Sequence, residues 1–153
     1  MHVVIVRNPF VWYRWRSWLS LFIRARYNSW SNHVGFWYYD EEMCESYILE
    51  SDTPNGVQWV PFNEWRHKDK VLKKYDVLFD IVKAKSYVGR VRYDYGSIFK
   101  HLLNWYYWTQ GQKDKERQTC YEYMANVLSL EKGYKFRPID AENYLKKYEV
   151  QVE

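Results

Sequence analysis

The chain opens on an apolar run, His2 to Arg7 (HVVIVR), closed by Asn8-Pro9; so many β-branched residues predict a strand. The period then changes. Trp15, Trp18, Leu19, Phe22 and Ile23 recur at i, i+3, i+4, i+7 and i+8, the apolar stripe of a helix over 14–26. His33 to Tyr39 (HVGFWYY) and Cys44 to Glu50 (CESYILE) read as two strands around an acidic turn. Val57 to Phe62 reads as a third, ended by Pro61, and Val71 to Tyr75 as a further short one. A helix is expected over 76–88, before a break at Gly89. Ile98, Phe99, Leu102, Leu103 and Tyr106 share one face of a helix over 96–108, and 109–118 is loop-like. Cys120 to Leu130 is a helix stopped by Gly133, and Pro138 and Asp140 introduce a last one toward Tyr148. Strands first and helices after them make an α+β fold.

With 153 residues and neither linker nor internal repeat, 1–153 is read as a single domain. Aromatic side chains make up 21% of it, which argues against disorder. The rings at helix or strand period (Trp15, Trp18, Phe22, Phe36, Phe99, Tyr106) are most simply core. Two cysteines exclude a disulfide scaffold. No segment has the roughly 20 apolar residues of a membrane-spanning helix. The run 17–23 ends at Arg24 without a cleavage site, so no secretory signal is expected and synthesis is placed in a reducing cytoplasm.

The net charge of +4 is uneven. Positions 1–39 carry Arg7, Arg14, Arg16, Arg24 and Arg26 and no acid, whereas 40–55 carry acids and no base. The Arg-rich, aromatic opening either neutralises the acidic stretch or meets an anionic membrane surface. No nucleic-acid motif is present, so no specific nucleic acid is expected as partner.

Thr119-Cys120-Tyr121-Glu122 matches a capping box ahead of an apolar run. It makes Cys120 the first helical residue, where the dipole and free N–H groups favour a thiolate. Cys44, among acids at a strand edge, has nothing to activate it. A reactive cysteine needs a base, and the base needs an orienting group. His67 lies in a charged stretch and His101 in an aromatic helix, but His33 starts a strand. In a hairpin centred between 41 and 42, His33 faces Glu50, a carboxylate placed to hold an imidazole. Glu41-Glu42 is a poor tight turn, which leaves a longer loop or another register open. There is no Cys-x-x-Cys, no His-Glu-x-x-His, no calcium-loop spacing and no Gly-rich phosphate loop. No metal or cofactor is expected.

Taken in order, HVVIVR, Asn32-His33-Val34-Gly35, Ile48-Leu49-Glu50-Ser51, Gly56-Val57, Tyr93-Asp94-Tyr95, Thr119-Cys120-Tyr121-Glu122 and Arg137-Pro138 resemble the circularly permuted NlpC/P60 cysteine hydrolases. This papain-like group includes YiiX-like proteins and lecithin–retinol acyltransferase relatives, and its His strand precedes its Cys helix. The resemblance covers roughly residues 3 to 145. It implies Cys120 as nucleophile, His33 as base and Glu50 as third member, with Tyr93 and Asp94 supporting the site. Asn32 and Tyr121 stand where the group usually has Ser, which puts the shape of the substrate pocket in question. Trp37 and Tyr39, on the strand face of His33, are candidate groove residues with Tyr93, Tyr95 and Tyr121. The implied activity is thiol-dependent cleavage of an amide, in a peptide, a peptidoglycan fragment or a lipid amide. A phage protein acting from a virion or in a host cell would suit a chain without a signal. A lipid-directed thiol acyltransferase or lipase at a membrane surface is the alternative within catalysis. A non-enzymatic aromatic and Arg-rich binding module is the alternative outside it.

Overall fold

A computed structural model describes residues 1–7, 18, 21–22, 24–25, 28–29, 31, 33–94, 117–130 and 136–148. Its frame is a five-stranded antiparallel sheet built from β1 (His2–Val6), β2 (His33–Asp40), β3 (Glu45–Asp52), β4 (Gly56–Pro61) and β5 (Val71–Asp76), in the order β4-β3-β2-β1-β5. β1 lies between β2 and β5, and its apolar run is buried on both faces.

On one face Val3, Ile5, Val34, Phe36, Leu49 and Tyr75 pack against the helical layer. That layer comprises α1 (Ile81–Ser86), α2 (Cys120–Val127) and α3 (Pro138–Leu145). Tyr123, Met124 and Leu145 supply its largest fully buried side chains. The opposite face carries a smaller cluster of Val4, Val6 and Ile48, closed by Trp65 from the segment between β4 and β5. Two-residue strands β6 (Arg92–Tyr93) and β7 (Arg117–Gln118) pair in parallel just ahead of α2.

The α+β reading holds, and the five strands of the sheet fall within two residues of where the apolar pattern puts them, whereas β6 has no counterpart there and β7 lies in the stretch read as loop-like. Three further expectations need correction. The helix expected over 76–88 is only Ile81–Ser86, because Asp76 still pairs with His2 in the sheet and Asp80 caps the helix by accepting from Lys83 N at 2.9 Å. Trp18 and Phe22, assigned to a core-facing stripe, are helical but 45% and 59% exposed. The hairpin register also differs. The helix expected over 96–108, the stop at Gly133 and the residues Trp15, Asn32, Tyr95 and His101 lie outside the described residues.

Candidate active site

β2 and β3 pair Gly35 with Glu50 and run to Asp40 with Glu45, so the turn occupies 41–44 rather than closing between 41 and 42. Asp40 Oδ1 accepts from Met43 N at 3.2 Å, and Cys44 takes a φ of 50°, which lengthens the turn. His33 is therefore not directly opposite Glu50. The pairing is offset by two residues, and an offset of two leaves side chains on their original face, where an offset of one reverses them. Gly35 presents no side chain across from Glu50, and the carboxylate reaches diagonally to His33, with Oε2 2.5 Å from Nε2.

Glu50 is fully buried and well supplied with donors. Trp65 Nε1 donates to Oε2 at 2.8 Å, and Gln58 Nε2 donates to Oε1 at 2.8 Å. Without them a buried carboxylate would be costly.

Cys120 enters from the helical layer. The capping box is formed, with Thr119 Oγ1 accepting from Glu122 N at 3.3 Å and Glu122 Oε2 accepting from Thr119 N at 2.8 Å. Ser51 Oγ donates to Gln118 O at 2.9 Å, tying this helix start to β3 one residue beyond Glu50. The Cys120 sulfur lies near enough to the His33 ring to act on its protonation. Nε2 is engaged by Glu50, so Nδ1 is the nitrogen left for the sulfur. Burial works to lower the His33 pKa, but the Glu50 carboxylate and the Cys120 sulfur outweigh it and hold the ring well above the ordinary histidine value. Burial likewise pushes Glu50 up, and the charge and hydrogen bond of His33 overcome it, so its pKa is lowered. An imidazolium between a carboxylate and a sulfur can hold a thiolate and deliver a proton.

A second network fixes the two halves of this pair. Glu142 Oε1, on α3, accepts from Ser29 Oγ at 2.5 Å, Ser31 N at 3.0 Å and Ser31 Oγ at 2.7 Å. Ser31 Oγ in turn accepts from Tyr121 Oη at 2.9 Å. The segment before β2 is thus clamped to the residue after Cys120. Burial, followed by the Cys120 sulfur, raises the Tyr121 pKa well above its usual value, so the phenol keeps its proton.

The other site candidates divide. Tyr93 and Asp94 are half-buried beside the approach to Cys120: Tyr93 pairs with Gln118, and Asp94 N donates to Gln118 O at 3.3 Å. Tyr121, expected in a substrate groove, is instead buried and occupied with Ser31. Trp37 lies four residues along β2 from His33, roughly 13 Å at the strand rise. It stacks on Phe62 at 5.0 Å under the Lys74 ammonium, so it belongs to the packing of the lower face.

Sequence reasoning missed Asp52 and His67. Asp52 follows Glu50 by two on β3, so alternation alone puts both on one face. The charged neighbours of His67 disguised a ring that is buried, 4.8 Å from the His33 ring centroid. Its Nε2 is 3.2 Å from Asp52 Oδ2, and Arg66 closes an ion pair on the same oxygen. Burial tends to raise the Asp52 pKa, but the hydrogen bond from His67 and the charges of His33 and Arg66 hold it well below the usual carboxylate range.

No protein-family model matches the chain, and no curated protein or solved structure matches it. Among the described residues no helix is long and apolar enough to cross a membrane.

Proposed function

We propose that this protein is a thiol hydrolase of amide bonds, a peptidase or amidase of the circularly permuted, papain-like NlpC/P60 type. The observation that carries the reading is the buried His33–Glu50 pair, with Cys120 at the start of a capped helix acting on the same ring. Cys120 thiolate attacks the amide carbonyl, and His33 gives its Nδ1 proton to the leaving amine. His33 then takes a proton from the water that releases the acyl group. The capping box engages the N–H groups of Thr119 and Glu122, leaving those of Cys120 and Tyr121 to stabilise the oxyanion. Cell-wall peptides are the substrate class the family resemblance suggests.

Iodoacetamide tests the activated thiol. Cys44 is exposed and Cys120 only 3% exposed, so accessibility alone makes Cys44 the faster site. A thiol activated by His33 reverses that order, and Cys120 is expected to label first. Labelling confined to Cys44 overturns the proposal. Turnover of peptidoglycan fragments and lipid amides by the wild type, absent in Cys120→Ala, identifies the substrate class.

One observation favours the lipid-directed variant of the same chemistry. Trp18, Leu21 and Phe22 are exposed on helical residues, which suits an interfacial contact. Flotation with anionic liposomes at low salt tests it, and a chain that stays at the bottom removes it.

A further inference from the structure

The sheet face below the thiol pair holds four ligating side chains. His33, Glu50, Asp52 and His67 are all buried, and one donor atom from each lies within 4.8 Å of all the others. We propose that these residues form a binding site for zinc or a similar borderline divalent cation, in competition with the thiol chemistry for His33.

The donor set decides the class of ion. Two imidazoles with two carboxylates suit zinc, whereas calcium and magnesium call for oxygen throughout. A tetrahedral ion with bonds of about 2.0–2.2 Å needs its donors about 3.4 Å apart. Binding draws the four donors together from a spread of up to 4.8 Å. Glu50 and Asp52 project from alternate positions of β3 and His33 from neighbouring β2, so the sheet fixes three of the four residues. An outer layer is present as well, because Trp65 and Gln58 hold the Glu50 carboxylate from two sides.

His67 completes the set from the segment between β4 and β5, with its ring 4.8 Å from the His33 ring and its Nε2 3.2 Å from Asp52 Oδ2. The cost falls on Arg66, which pairs with Asp52 and reaches His67 Nε2 at 3.0 Å. Its side chain is 46% exposed and can swing into water when a cation arrives.

Coordination through His33 Nε2 releases that proton to solvent and leaves one proton, at Nδ1, facing Cys120. The ring then lacks the imidazolium form that protonates a leaving amine. This consequence rests on the thiol-hydrolase reading; the metal site itself does not.

Zinc titration of the full chain against a chromophoric chelator, in a Cys44→Ser background, tests the site. One equivalent is expected to bind, and Cys120→Ser is expected to bind it equally well. His67→Gln and Asp52→Asn are each expected to weaken binding at least about tenfold, as lost ligands must. Arg66→Gln is expected to tighten it, a gain that unfolding cannot produce. Wild-type affinity in His67→Gln, loss of binding in Cys120→Ser, or no tightening in Arg66→Gln overturns the proposal. Zinc binding that follows this pattern in a chain without amide turnover overturns the hydrolase reading alone.

Discussion

Glu50 holds the charge on which the proposed chemistry depends. In Glu50→Gln the side-chain oxygen still accepts from Trp65, but the negative charge that keeps His33 protonated is gone. Amide turnover is expected to fall roughly 100- to 1000-fold. The alkaline limb of the kcat/KM profile should also move to lower pH, because His33 loses its proton earlier. A pH–rate profile of the variant checks this, and an alkaline limb that stays in place removes Glu50 from the triad. At this scale the sequence was informative about Cys120, His33 and Glu50. It was silent about His67, whose neighbours in the chain are charged and whose neighbours in space are not.

Between elements, the Glu142 network ties the segment before β2 to the residue after Cys120. Glu142→Ala removes three hydrogen bonds to one buried carboxylate oxygen and leaves Ser29 and Ser31 only their bonds to each other and to Tyr121, at a cost of roughly 3 kcal/mol. Urea denaturation measures it, and an unchanged midpoint means the clamp contributes nothing. Thr119→Ala removes half of the capping box and is expected to cost about 1 kcal/mol by the same measurement. The box was legible in four consecutive residues because capping is local. The clamp was not, because Ser29, Ser31, Tyr121 and Glu142 come from three separated segments and none carries a local signature. The hairpin shows a middle case. Strand alternation was readable, but turn length was set by the Asp40–Met43 hydrogen bond and the positive φ at Cys44. The His33–Glu50 pair survived the error only because the offset was even.

For the molecule as a whole, the buried ionisable groups set the pH range of stability. The pKa values of Glu50, Asp52 and His67 are lowered from ordinary values of 4.5, 3.8 and 6.5, so their contributions are present above those values and lost as pH falls. His33, raised above 6.5, contributes below that value and loses its contribution as pH rises through its folded pKa. Thermal melts are expected to show a decline beginning below about pH 6.5 and steepening below about 4.5. His67→Gln should remove the first part and leave the second. A variant that melts with the wild-type pH dependence excludes His67 as the first acid-sensitive group.

The sequence by itself determined the five strands of the sheet, the helix that starts at Cys120, the α+β class and the face shared by His33 and Glu50. Each follows from periodicity or from contacts within a few residues, and local backbone physics suffices for them. Only the tertiary structure decided the register of the hairpin, the burial of His67 and Asp52 beside the pair and the inward turn of Tyr121. It also left Trp18 and Phe22 exposed where the helical period had put them in the core. Those outcomes depend on which segments cover which face of the sheet. A 3.6-residue stripe shows that a face is apolar without showing what covers it.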